Sequence, residues 1–328
     1  MLKVGLIGCG FMGTMHANCY KNIEGVELVA LADLRPEKAQ GLAEGTNAVL
    51  YGDGMELIEQ ADVDVIDICL PTYLHAKYAL AAMDKVKYLF VEKPVTLTME
   101  EGDELIAKAE KTGCRVQVGQ VIRFWDEYVA LRDIIASGKY GKVVNANFRR
   151  LSPSPDWGWE NWLHNVAVSG GAGQDLHSHD IDYVLSVFGE PEKLFSVKNL
   201  AGEENSYVNT LLQYKDFVVG VEGTWNLPAS HPFQATFRVV FEKAVVENDA
   251  GKFMCYTTEG AEEIKIEKKE LALAGGTAGN ISDLGGYFNE LYYFTAQAKA
   301  SAPIEQASLT DAVASLKFLL GKELSFHA

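Results

Sequence analysis

Three short segments of this 328-residue chain hold side chains whose types and spacing fit one kind of reaction. The first is Glu92-Lys93-Pro94, directly after the apolar run Tyr88-Leu89-Phe90-Val91. A lysine at the mouth of a sheet donates a hydrogen bond to a substrate hydroxyl and stabilises developing alkoxide charge. Most lysines at strand ends are simply exposed, so it is the position at an expected ligand rim that favours chemistry for Lys93. The second is Gly170-Gly171-x-x-x-Asp175-x-x-x-His179. Asp175 and His179 lie four apart, on one face of a helix one turn from each other. A carboxylate there orients the imidazole and supports its charged form during proton transfer. The plainer alternative is a capped helix, with Asp175 near its start and His179 facing water. His177 and His179 also sit among Asp175, Asp180 and Asp182, but alternate helix positions point to different sides, and no metal is expected.

The third segment, Gly8-Cys9-Gly10-Phe11-Met12-Gly13, follows an apolar strand-like run. Gly8 permits a tight turn, Gly10 lets the backbone approach a pyrophosphate, and Gly13 lets the next helix pack close to the strand. The helix amides then point at the phosphates, which places Gly8, Gly10, Phe11, Met12 and Gly13 at a dinucleotide. Asp33 ends a second strand-like run 20 positions after Gly13, where a carboxylate grips an adenosine ribose. A carboxylate repels a 2′-phosphate, so Asp33 favours NAD over NADP, although Arg35 could pair with that phosphate. Further along, Pro71-Thr72 turns the chain at the same rim, and His75 either reaches the cofactor or opens a helix toward water.

The elements that must hold these residues change rhythm near residue 120. Strand-like runs at 3–7, 27–32, 63–69, 88–91 and 115–118 alternate with helical stretches such as 36–43, 75–83 and 99–111. This alternation predicts a doubly wound parallel sheet with helices on both faces and ligand at the carboxyl ends of the strands. Beyond it come a helix over 128–137, a strand over 143–151, a Pro/Trp-rich loop over 152–162 and a helix over 176–188. Strands at 207–214, 218–225, 235–241, 244–248 and 253–257 predict a predominantly antiparallel sheet. Helices over 284–299 and 310–323 close the chain, the last with Thr310 as its cap and Asp311 in the first turn. The expected domains are therefore 1–122, an α/β Rossmann domain, and 123–328, an α+β domain.

Composition narrows the partners. A net charge of −16 argues against nucleic acid and anionic membranes, both of which call for basic patches. The five cysteines are scattered, without a Cys-x-x-Cys pair, which fits reduced thiols in the cytoplasm rather than a disulfide framework or a zinc site. The strand at the N-terminus leaves no room for a signal peptide, and no apolar run is long enough to span a bilayer.

In order and spacing, the glycine turn, Asp33, Pro71-Thr72-x-x-His75, Glu92-Lys93-Pro94, Arg123-Phe124 and Gly170-Gly171-x-x-x-Asp175-x-x-x-His179-x-x-Asp182 together resemble the Gfo/Idh/MocA oxidoreductase family. Inositol 2-dehydrogenase is among its better-known activities, and the resemblance covers essentially the whole chain. It implies an NAD-binding N-terminal domain and an open C-terminal sheet with one face over the active site and the other used in a homodimer or homotetramer. It implies Lys93, Asp175 and His179 as catalytic residues, with the Lys93–Pro94 bond often cis. Glu92, and Arg123 near cofactor and substrate, carry over by the same motifs. The implied reaction is hydride transfer between a secondary alcohol of a sugar, cyclitol or related polyol and the nicotinamide. Two further readings exist within such a family: a dinucleotide-sensing regulator, against which intact Lys93, Asp175 and His179 speak, and an NAD-assisted glycosidase. His177 replaces a small residue of the common pattern and either enters the substrate pocket or faces outward. Trp157, Trp159 and Trp162 suit the apolar face of a sugar ring, or else pack domains together.

Overall fold

The computed structural model describes residues 1–198, 207–249, 251–266 and 284–320. The chain forms two compact units. The described parts of the first are 1–121, 157–162 and 284–316, and those of the second are 122–156, 163–198, 207–249 and 251–266, with the last residues of the chain's final helix.

The first unit alternates β1 (Leu2–Ile7), α1 (Phe11–Lys21), β2 (Val26–Ala32), α2 (Pro36–Ala43), β3 (Val49–Tyr51), α3 (Gly54–Gln60), β4 (Val65–Ile68), α4 (Thr72–Lys85), β5 (Tyr88–Val91), α5 (Met99–Thr112) and β6 (Arg115–Val118). The strands are all parallel, in the order β3-β2-β1-β4-β5-β6. The central strands β4 and β5 are wholly buried, as near-continuous apolar runs between two helix layers must be. The sequence reading passes over β3 and α3. β3 is three residues long and sits at the sheet edge, too short for periodicity to show. α3 is fixed by its cap, since the Asp53 carboxylate accepts the Met55 N–H at 2.6 Å.

In the second unit, α6 (Asp126–Ser137) leads to β7 (Val143–Pro153), and three helices follow: α7 (Val166–Ser169), α8 (Gly171–Asp175) and α9 (Ser178–Phe188). The remaining strands are β8 (Lys193–Lys198), β9 (Tyr207–Gln213), β10 (Val218–Leu227), β11 (Gln234–Phe241), β12 (Val245–Asp249), β13 (Lys252–Thr257) and β14 (Gly260–Glu263). They join β7 in the order β14-β13-β12-β11-β7-β10-β9-β8, antiparallel except for β7 with β10. Val208, Thr210, Leu212, Val219 and Val221 alternate on the buried face, where α8 and α9 pack. Phe195, Val197, Leu211 and Val218 share the opposite face and are exposed.

The chain ends in α10 (Gly285–Ala300) and α11 (Leu309–Leu320). α10 packs on α1, and the Val118 N–H donates to the Ala307 carbonyl at 2.8 Å, extending β6. Ser308, not Thr310, caps α11: its Oγ accepts the Asp311 N–H at 3.2 Å while the Asp311 carboxylate accepts the Ser308 N–H. Residues 321–323, the expected end of this helix, lie outside the described residues.

One close approach sets the geometry of the first unit. A Cβ on Gly13 would lie 1.9 Å from the Gly8 carbonyl oxygen, and one on Gly8, whose φ is +95°, would lie 2.4 Å from the Cys69 oxygen. No side chain fits at either position. Gly10 differs, with φ of −76° and nothing nearer than Arg35 at 3.7 Å. Gly13→Ala should therefore lose about 3 kcal/mol or more in urea unfolding, and Gly10→Ala less than about 1 kcal/mol. Equal losses would contradict the account of Gly13 as the packing contact.

Candidate functional site

At the carboxyl ends of β1, β4 and β5, the partly exposed residues include Gly10, Phe11, Met12, Leu70, Pro71 and Lys93. The first turn of α1 has Gly10 as its N-cap, without a side-chain cap and without an acidic residue. Its orphan amides and positive helix end suit an anion. Gly10 is glycine although neither its φ nor a protein neighbour demands it, so the space beside its backbone fits a close ligand such as a pyrophosphate. The Asp33 carboxylate at the end of β2 accepts the Cys9 N–H at 2.8 Å and the Arg35 N–H at 2.8 Å. A carboxylate with both oxygens so oriented keeps lone pairs for ribose hydroxyls.

Arg35 also turns its guanidinium back on Asp33, Nε to Oδ1 at 3.1 Å, and lies over the Trp159 ring at 5.7 Å. The Trp157 ring meets the Phe11 ring at 4.9 Å. Two of the three loop tryptophans thus pack against the dinucleotide end of the first unit. Trp162 is half-buried, in a segment where Glu160 and Asn161 adopt positive φ of 49° and 56°.

Several sequence-predicted residues are placed differently from expectation. His75 does not reach outward toward a cofactor or water. It is buried in α4, with Nδ1 2.8 Å from the Pro94 carbonyl oxygen and Nε2 2.7 Å from that of Leu70. Burial lowers its pKa despite both carbonyls. Its neighbour Thr72 is likewise buried. Glu92 turns inward too: its Oε1 lies 3.1 Å from His16 Nε2 and its Oε2 accepts the Lys93 N–H at 3.0 Å. Of the Glu92-Lys93-Pro94 segment, only Lys93 is partly exposed, and the Lys93–Pro94 peptide is cis.

In the second unit, the helix expected over 176–188 begins at Ser178, and a separate short helix, α8, precedes it. Asp175 ends α8, Leu176 and His177 form the connection, and α9 begins at Ser178, so Asp175 and His179 are not on one regular helical face. Asp175 is buried and His179 half-buried in the first turn of α9. His177 does not face outward. It points into the sheet, where Nε2 lies 2.9 Å from Thr210 Oγ1 and Nδ1 is buried without a hydrogen-bond partner. Gly223 makes room for it, since a Cβ there would lie 2.7 Å from His177 Nδ1. Arg123, expected at cofactor and substrate, directs its fork at buried Asp182, Nε at 2.6 Å and Nη2 at 2.7 Å. Asp180 pairs instead with buried Arg150 at 2.7 Å. Asp182 and Asp180 are thus each held by a separate arginine.

The sequence reading misses His16, Tyr20 and Asp67. His16 Nδ1 lies 2.8 Å from Asp67 Oδ2, which also accepts the Tyr20 hydroxyl at 2.8 Å, and Cys69 Sγ is 3.2 Å from the same His16 nitrogen. Among the described residues, His16, Asp67 and Cys69 bring donor atoms within 4.8 Å of one another. The available signal is Asp67 itself, a lone charge in the buried strand Val65-Ile66-Asp67-Ile68.

Comparison with known proteins agrees with this arrangement. Residues 2–120 match the oxidoreductase family with an NAD-binding Rossmann fold, and residues 128–247 match the GFO/IDH/MocA C-terminal domain. The chain is similar to myo-inositol 2-dehydrogenase of Thermotoga maritima, 29% identical over 67% of each chain. It is 31% identical to inositol 2-dehydrogenase of Salmonella typhimurium over 64% of this chain and 61% of that one. The aligned part thus spans about three fifths to two thirds of these relatives. In fold it is similar to scyllo-inositol dehydrogenase from Lactobacillus casei, solved with bound NAD(H) and scyllo-inositol. That similarity has a TM-score of 0.79 at 20% identity, covering 98% of this chain and 95% of that one. Among the described residues, no helix is long and apolar enough to cross a membrane.

His177 yields a sign for pH. Burial lowers its pKa to about 3, so it folds neutral while the unfolded chain takes up a proton below about 6.5. Its contribution is present above that pH and is lost as pH falls toward the folded value. By pH ~4.5 the loss is about 2–3 kcal/mol. Urea unfolding at pH 7 and 4.5 should show wild type falling by about that much more than His177→Asn. Parallel falls would contradict it.

Proposed function

We propose that this chain, which belongs to the Gfo/Idh/MocA oxidoreductase family, is an NAD-dependent dehydrogenase of a secondary alcohol on a cyclitol, sugar or related polyol. The observation that carries the proposal is the partly exposed Lys93 at the carboxyl rim of an NAD-binding sheet, flanked by buried Glu92 and Pro94. Bound NAD supplies the acceptor for two electrons and a proton as hydride. The α1 amides and Gly10 would hold the pyrophosphate, and Asp33 the adenosine ribose.

In this reading Lys93 donates to the substrate hydroxyl and stabilises the alkoxide as its proton leaves. His179 takes that proton as general base, and Asp175 orients His179 or holds a neighbouring hydroxyl. Support comes from the order and spacing of the motifs and from inositol dehydrogenases among the relatives. Asp33, with Arg35 turned onto it, supports NAD over NADP. A cytoplasmic homodimer or homotetramer completes the proposal.

A panel of inositols, hexoses and sugar acids, scored by NADH absorbance, tests the reading. With the substrate so found, Lys93→Ala and His179→Ala should each lower kcat about a hundredfold or more, with little change in NAD affinity. Gly10→Ala should do the reverse, weakening NAD binding about tenfold by blocking backbone approach. Full activity in Lys93→Ala, or tighter binding of NADP than NAD, would overturn the corresponding assignment.

A further inference from the structure

Beneath Lys93 lie two buried carboxylates on neighbouring strands. Asp67 is in the middle of β4, and Glu92 immediately follows β5. Their exposures are 0% and 4%. A carboxylate so deeply desolvated calls for a cation beside it. The His16 imidazole, also 0% exposed, stands between them, with Nδ1 at 2.8 Å from Asp67 and Nε2 at 3.1 Å from Glu92. The second contact has ion-pair distance without the alignment of a straight hydrogen bond. Only an imidazolium carries an N–H at both nitrogens. Burial alone would lower the His16 pKa, but Cys69 and Asp67 beside it raise it well above the ordinary histidine value. Among the described residues, the other groups near it include Cys69 of the β4 end, Cys19 and the Phe90 and Tyr287 rings, with Tyr20 bonded through Asp67.

The Glu92 carboxyl lies against Gly119, whose lack of a side chain makes room for it. A Cβ on Gly119 would lie 2.9 Å from its carboxyl carbon. Its other oxygen, Oε2, accepts the Lys93 N–H, and His75 grips the carbonyl on the far side of the Lys93–Pro94 bond. The backbone of Lys93 is therefore held through side chains of α1 and α4. We infer that His16 is a positioning residue for Lys93, its ring holding the Glu92 carboxylate that fixes the Lys93 amide.

The inference rests on the proposed role of Lys93, so its test has one arm that needs no activity. Hydrogen exchange on the intact protein should show the Lys93 amide opening about tenfold faster in His16→Gln, with the rest of β4 and β5 unchanged. Glu92→Gln, which keeps the shape of the side chain and removes its charge, should do the same and serves if His16→Gln does not fold. In the activity arm, each variant should lower kcat about tenfold to a hundredfold with NAD affinity unchanged. The double variant should then lose no more than the worse single one, because both act through one contact. Unchanged exchange at Lys93 in a folded variant, or kcat losses that multiply in the double variant, would overturn the inference. A wild type that reduces NAD with no polyol would defeat the dehydrogenase reading, while the exchange result would still decide the role of His16.

Discussion

The fit of Gly13 against the Gly8 carbonyl is the contact on which the rest of the first unit depends. With 1.9 Å between that oxygen and any Cβ on residue 13, α1 can seat on the turn only if residue 13 is glycine. Once seated, the helix does two things at opposite depths. Its uncapped first turn lies at the rim, where its amides suit an anion. One turn further in, His16 comes down between Asp67 and Glu92. The end that would hold the cofactor and the cation under Lys93 belong to the same rigid helix. The nucleotide end and the lysine end of the rim therefore share one packing contact.

This arrangement explains why some residues were legible in the sequence and others were not. The parallel sheet follows from runs such as Val65–Ile68 and Tyr88–Val91, whose apolar continuity reports burial on both faces. The antiparallel strands follow from alternation, as in β9, where Val208, Thr210 and Leu212 point one way. Local signals carry this information, and local signals sufficed. β3 escaped because three edge residues carry too little pattern.

The site was legible in motif and less so in orientation. Glu92, His75 and Arg123 sit in motifs that mark a ligand rim, yet each side chain turns to a protein partner instead of outward. Glu92 meets His16, His75 meets Leu70 and Pro94, and Arg123 meets Asp182. Spacing along a chain reports neither these partners nor the break between α8 and α9 that takes Asp175 off the helix of His179. His177 shows the same limit: its place is set by Thr210 and by the space Gly223 leaves, both on strands far along the chain. Motifs at a rim name the neighbourhood, and the buried polar contacts decide which members face outward.

The central claim is that this family member oxidises an alcohol carbon by moving its hydrogen to NAD. The most direct measurement uses inositols and sugars deuterated at their ring carbons, with mass analysis of the reduced cofactor. The account predicts one deuterium on the nicotinamide ring for each alcohol oxidised. Reduced cofactor without the label, or label released to water while a glycosidic bond is cleaved, would contradict it.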